Sequence, residues 1–234
     1  LPSVSYAARD AEWVKKYFET VLGIPARSIY FRTNHEVTGG TFKLIPEWIK
    51  KRIKENKSNV YFYYAGHGAP ASDKNAYLLP SDANSNYIEK TGIEISSLYN
   101  QLAALGAKSV TVFLDACFSG ANRQIDEDQE MLLADARPVF IAPEEVKNDK
   151  INIFAAAQGN QVSSAWPEKK HGLFSYFLMK GIKGDADLDN NKELTYQELG
   201  EYIEQKVSRM AGMLDREQNP TFDLQDSSKI LIKY

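Results

Sequence analysis

Apolar positions along this chain follow two alternating rhythms, one helical and one nearly continuous. A first helix is predicted over residues 5–22, closed by Gly23, with Ala7, Ala11, Val14, Phe18, Val21 and Leu22 as its inward stripe and Asp10 on the border of that stripe. Residues 28–32 read as a short strand. Residues 41–54 read as a helix turning Phe42, Ile45, Trp48, Ile49 and Ile53 inward, with Pro46 either in its first turn or kinking it. The runs NVYFYYA (59–65), SVTVFLDA (109–116) and INIFAAA (151–157) are strands of the kind a parallel sheet covered on both faces requires. Segments 76–80 and 87–94 fit a small surface hairpin. Further helices are expected over 97–105, 172–182 and 195–210, and a last strand over 230–232. Between about 120 and 150 the periodicity fails, and loops so long are usually functional or disordered. The expected organisation is a single α/β domain over residues 1–234 with a long loop at 120–150.

Composition changes this picture mainly by exclusion. The 234 residues are 43% hydrophobic and 25% charged, as in a globular protein. With 28 basic and 31 acidic residues the net charge is −3, which argues against nucleic acid as a partner. No apolar stretch approaches a membrane span and no signal peptide is visible, so no membrane partner is expected. The single cysteine rules out an internal disulfide and a cysteine-based zinc site, but leaves the cellular compartment open.

The chemistry sits where two strands end. The first runs into Gly66, His67 and Gly68, the second into Cys117, Phe118, Ser119 and Gly120. In an open parallel sheet, sites collect outside the carboxyl ends of the strands, and strands joined by one crossover are usually neighbours. Neighbours lie about 4.8 Å apart, so an imidazole and a thiol could face one carbonyl. That pair is the minimal activated nucleophile, the thiolate attacking and the imidazole moving protons. Gly66 and Gly68 permit close backbone approach and unusual torsions, and the N–H of Gly68 with that of Cys117 could hold an oxyanion. Taken alone, a histidine between glycines suits a turn and a lone cysteine suits a core; together, at two strand ends, they point to catalysis.

The block YFYYAGHGAP followed by VTVFLDACFSG resembles the caspase-like cysteine peptidases, especially their bacterial metacaspase relatives. The likeness extends to QGNQVSSAW, HGLFSYFLMKGIKGDAD and the QNP near the end. It implies a three-layer α-β-α sandwich around a mostly parallel sheet, with His67 as general base and acid, Cys117 as nucleophile and Gly68 as an oxyanion donor. The family begins with a central strand just before the segment resembling LPSVSYAARDAEW, and no such strand precedes Leu1.

Asp115 stands two residues before Cys117 and so points to the same face, about 6.6 Å away. A carboxylate there would repel acidic side chains and attract Lys or Arg, with Arg able to pair in two prongs; metacaspases and paracaspases carry this Asp and cut after basic residues. Asp10 matches the family position of a second pocket carboxylate, but would equally complement the positive end of the helix dipole. Solvated or capping duty at a strand end is the alternative for Asp115. Gln161, Ser163 and Ser164 are candidates for another pocket wall. The expected activity is endopeptidase cleavage after Arg or Lys in protein or peptide substrates, with self-processing at Arg123 or Arg137 in the 120–150 loop. The chemistry requires no cofactor. The rivals are an inactive caspase-fold interaction module and, last, a nucleotide-binding domain, for which no phosphate-cradling glycine loop is present.

Residues 187–198 (DLDNNKELTYQE) align with a twelve-residue calcium loop, placing Asp187, Asp189 and Asn191 at the first three ligand positions, Glu193 at the backbone-carbonyl position and Glu198 last. Lys192 stands where such loops have glycine. A capping box from Thr195 and Glu198 accounts for that pair without a metal and is slightly preferred. Calcium is therefore a possible ligand, not a required one. His35 and His171 carry no evident role.

Overall fold

The computed structural model describes residues 1, 3–71, 75–118, 150–158 and 161–234. In chain order the helices are α1 (Ala7–Thr20), α2 (Gly39–Lys50), α3 (Ile88–Thr91), α4 (Ile95–Ala103), α5 (Leu173–Lys180) and α6 (Tyr196–Met213). The strands are β1 (Asn59–Pro70), β2 (Ala76–Leu78), β3 (Ile93–Glu94), β4 (Ser109–Cys117), β5 (Ile151–Ala155), β6 (Ala165–Trp166), β7 (His171–Gly172), β8 (Glu193–Thr195), β9 (Thr221–Asp223) and β10 (Ile230–Lys233). The main sheet has the order β3-β2-β1-β4-β5-β9, with β1, β4 and β5 parallel at its centre and antiparallel strands towards both edges.

The two-residue alternation of the strands builds the three layers. Val60, Phe62 and Tyr64 of β1 and Val110, Val112 and Leu114 of β4 pack with Phe42, Leu98, Tyr99 and Leu102 on the α2–α4 side. The intervening residues Tyr61, Tyr63 and Phe113 turn the other way, against Val14 and Phe18 of α1, Phe174 and Leu178 of α5, and Leu199 and Ile203 of α6. Every residue of β4 is buried, as its unbroken apolar run predicts. The sandwich expected from the sequence is the observed architecture.

Four local expectations are corrected. Residues 28–32 form no strand: a short 3-10 turn covers Ala26–Ser28, and the backbone beyond is extended (Ile29 φ −111°, ψ 123°) without a ladder partner among the described residues. A cavity of about 610 Å³ separates that segment from β1, lined by Ile29, Phe31, Phe18, Phe42, Tyr61 and Ala65. Along residues 59–67 the edge of β1 on that side pairs with no strand among the described residues, so the local β propensity at 28–32 has nothing to hydrogen-bond to. Within the expected hairpin, β2 and β3 do pair antiparallel, but a 3-10 turn (Ser85–Tyr87) and α3 occupy most of 87–94. Pro46 is not in the first turn of α2 but its eighth residue, where its missing N–H releases the carbonyl of Phe42, and the helix runs on to Lys50. The first strand does not stop at Gly66; it carries the Gly-His-Gly triplet inside it and pairs Gly68 with Leu78 of β2.

Candidate active site

The parallel register of β1 and β4 sets His67 directly opposite Cys117, and Ala65 opposite Asp115. Paired residues of a parallel ladder project from the same face, so the imidazole, the thiol and the Asp115 carboxylate all leave the sheet on the side of α1 and α5. His67 is 7% and Cys117 3% exposed. The Tyr64 hydroxyl lies within hydrogen-bond reach of the carbonyls of His67 (2.9 Å) and Leu79 (3.1 Å), which ties the histidine's backbone to the β2 side. Burial raises the pKa of that hydroxyl, which keeps it a donor.

The N–H of Leu79 donates to the carbonyl of His67 at 3.0 Å. Main-chain groups alternate edges along a strand, so Gly68, one residue on, turns its N–H to the edge where Cys117 lies. The glycines are needed for a different reason from unusual torsion, since neither has a positive φ. A Cβ on Gly66 would lie 2.6 Å from the Tyr64 hydroxyl oxygen, and one on Gly68 2.5 Å from the Phe118 ring and 2.8 Å from the Cys117 carbonyl. The close approach is to the protein's own side chains.

Segment 161–164 wraps the sulphur. Ser163 donates its N–H to Cys117 Sγ at 3.0 Å, and a donor aimed at sulphur stabilises negative charge there. The Ser163 hydroxyl donates to Asp115 Oδ1. Asp115 Oδ2 accepts from the Ser175 hydroxyl and from the Ser175 N–H at 3.3 Å, in the first turn of α5. Tyr63 OH lies 2.6 Å from Ser175 Oγ. Asp115 has no exposed surface, so the solvated-carboxylate alternative does not hold. Asp10 is equally buried and does more than complement the dipole of its own helix. Its Oδ1 meets His171 Nδ1 at 2.6 Å, and its Oδ2 accepts the Gly172 N–H at 3.0 Å, at the start of α5. Both carboxylates thus converge on the N-terminus of α5, the end of a helix that favours negative charge.

A family model described as the caspase domain matches residues 2–231. The chain belongs to the caspase domain family. It is accordingly a domain of cysteine-peptidase type, and its expected substrates are proteins. No curated protein matches the chain. Among the described residues, no helix is long and apolar enough to cross a membrane.

The caspase domain closes its site with residues far apart in sequence. Gln218 accepts the Ser164 N–H at 2.7 Å and donates to the Ala156 carbonyl at 2.8 Å. Gln161 Oε1 accepts the Asn219 N–H at 2.7 Å, and its amide donates to Glu217 at 3.0 Å. Residues 161–164 and 217–219 are therefore latched to one another, and Ser163 is held against Cys117. Sequence reading passed over His171 and Ser175. The buried His171, edge-on to Trp13 at 6.2 Å, is the partner of Asp10, and the only local signal was its place just before an apolar helix. Arg123 and Arg137 lie outside the described residues.

The acidic loop brings Asp187, Asp189 and Glu198 together, with one oxygen of each within 4.8 Å of the others. Lys192 adopts the left-handed turn (φ 69°) that its missing glycine put in question, and Asn190 does the same (φ 58°). Asn191 donates its side-chain amide to Asp189 (2.9 Å) and accepts the Glu193 N–H on its oxygen (2.7 Å), so that oxygen is engaged by the backbone. Glu193 pairs its side chain with Lys233. The capping box is present: Glu198 Oε2 accepts from the Thr195 N–H at 2.8 Å, and the Glu198 N–H donates to Thr195 Oγ1 at 3.2 Å. Burial first, and then the charges of Asp187, Asp185 and Glu198, push the Tyr234 hydroxyl up to about 12.

Proposed function

We propose that this protein is a cysteine endopeptidase that hydrolyses peptide bonds after Arg or Lys, using Cys117 and His67. The observation that carries the reading is the His67–Cys117 pairing on adjacent parallel strands, with both side chains on one face. The Cys117 thiolate attacks the substrate carbonyl, and its proton resides on His67. In this reading the oxyanion is received by the N–H groups of Gly68 and Cys117, which the β1–β4 ladder engages in the empty site and which turn from it when substrate is bound. As the tetrahedral intermediate collapses, the C–N bond breaks and imidazolium protonates the leaving amine, which leaves a thioester. His67 then takes a proton from water, whose oxygen attacks the thioester and restores the thiol. Asp115, assisted by Asp10, receives the basic side chain before the cut, a role supported by their burial on the same face as the nucleophile.

Fluorogenic peptides ending in Arg, Lys or Asp, assayed under reducing conditions, test this directly. Turnover of the Arg and Lys peptides alone is expected; cleavage after Asp would keep the peptidase but remove the role given to Asp115 and Asp10. Mass analysis of the same enzyme reads self-processing, with new termini expected after Arg123 or Arg137 and an intact chain counting against it.

Gly68→Ala is expected to lower kcat/KM about 10–100-fold with the fold retained by circular dichroism, because its methyl would displace the Cys117 carbonyl or the Phe118 ring from contacts already at van der Waals limits. Unchanged turnover would show that this strand end does not position the nucleophile.

Asp187, Asp189 and Glu198 fit a hard cation, because the donor set is all oxygen and the turn around it is formed despite Lys192. The capping box occupies Glu198 Oε2, which leaves Oε1 as the atom such a site would use. Bound calcium would supply charge neutralisation joining α5 to α6, away from the dyad. Calcium at about a hundred times its Kd is expected to raise Tm by roughly 5–10 °C, and Asp187→Asn to remove that rise. An equal Tm with chelator and with about 10 mM calcium would reduce the loop to a capped turn.

A further inference from the structure

On the α5–α6 face, a groove of about 490 Å³ lies apart from the catalytic pair. Its floor is aromatic: Trp166 sits edge-on to Tyr176 at 5.1 Å and stacked near Phe177 at 5.9 Å, and Phe177 meets Tyr202 at 6.3 Å. Burial pushes the Tyr202 hydroxyl up to about 12, so this floor is uncharged at neutral pH. Two of the largest exposed apolar side chains among the described residues, Leu188 at 66% and Met213 at 68%, stand on its margin. Leaving such side chains in water is costly, and methionine adapts its shape to whatever covers it.

The rim is basic in a chain whose net charge is −3. Lys180 is neutralised by Asp185 at 2.8 Å, and Glu168 accepts the indole N–H of Trp166 in the floor of the groove. Lys206 and Arg209 have no ion-pair partner among the described residues, and Lys206 Nζ lies 5.7 Å from the Tyr202 ring centre. Lys169 adds a further cation over Trp166, at 5.6 Å. An apolar floor framed by unneutralised cations is complementary to one kind of occupant, a polypeptide segment with a large apolar side chain flanked by Asp or Glu. Phosphates would match the cations and leave the apolar margin uncovered.

The groove and the candidate active site are built on shared elements. Trp166 lies three residues beyond Ser163, which caps the Cys117 sulphur, and Tyr176 directly follows Ser175, which holds Asp115. We infer that this groove is an exosite that holds an acidic, apolar segment of the protein substrate. The assignment rests on the peptidase reading for its occupant and extends it to a second recognition element of opposite charge preference.

The test uses the full chain carrying Cys117→Ala, so that binding is read without turnover. The probe is a fluorescein-labelled peptide, Gly-Asp-Glu-Trp-Glu-Asp-Gly, followed by anisotropy beside a counterpart with every acid replaced by Lys. Saturable binding of the acidic probe is expected, weakened about 10-fold by Lys206→Glu with Arg209→Glu and falling with salt. Met213→Ser, at an exposed position that leaves the core intact, is expected to weaken it as well. Equal binding of the two probes, no binding of the acidic one, or indifference to the charge reversal would overturn the exosite. Turnover of short Arg peptides by the unmutated chain is read separately, so failure of the peptidase reading and failure of the groove are distinguishable.

Discussion

Replacing Cys117 by Ala is expected to abolish cleavage of Arg and Lys peptides, a loss of roughly 10⁴–10⁶-fold in kcat. The chain has no other cysteine, so no second thiol can substitute. His67→Ala is expected to cost roughly 10²–10⁴-fold, because the thiolate loses both its proton acceptor and the acid that releases the amine. The double variant should be no slower than Cys117→Ala alone, since two groups acting in one step are not additive. Cys117 is buried, and replacing it by Ala removes only a sulphur atom, so folding should survive, as near-ultraviolet circular dichroism can verify. Residual turnover above about one part in 10³ in purified Cys117→Ala would assign the chemistry to another group. Iodoacetamide labelling supplies an independent reading: His67→Ala should slow alkylation of Cys117 near neutral pH if the imidazole is the thiol's proton partner.

What could be read in the chain and what could not follow a physical division. Strands NVYFYYA and SVTVFLDA were legible because a buried parallel strand needs an unbroken run of aromatic and branched side chains, and both ladders form over those residues. Adjacency of His67 and Cys117 followed from one crossover between them. The segment at 28–32 was misread because strand propensity is local, whereas a strand exists only where a neighbour offers hydrogen bonds. Likewise, nothing near His171 announces Asp10, which lies 161 residues away, and nothing near Ser164 announces Gln218. Such polar contacts have no periodicity to betray them. They are dictated by the demand that buried carboxylates and amides be satisfied, a demand the finished packing alone defines. The acidic loop is intermediate: its ligand-type spacing was legible, but only the backbone shows Lys192 accepting the left-handed turn and Asn191 bonded within the loop.

Asp115→Asn is the change expected to separate recognition from architecture. The substitution keeps the shape and removes the charge, so a basic substrate side chain loses its partner while the site keeps its volume. Losing one member of a buried charge pair costs about 3–5 kcal/mol, which corresponds to roughly 10²–10⁴-fold in kcat/KM for Arg peptides. The loss should fall mainly on KM, since the charge acts on the bound side chain before and during the cut alike. Stability should fall as well, by about 1–3 kcal/mol in denaturant melts, because the new amide faces the hydroxyls of Ser163 and Ser175, which both now donate to the carboxylate. Asp10→Asn is expected to show a smaller kinetic effect, since its two oxygens are engaged by His171 and the Gly172 N–H. The informative outcome is the ratio. A stability loss with Arg cleavage intact would make Asp115 the tie between β4 and α5 and leave basic selectivity to other groups. A kinetic loss confined to Arg and Lys peptides, with neutral peptides unaffected, would make the carboxylate serve both: it holds the first turn of α5 in the empty site and receives the substrate's charge in the filled one.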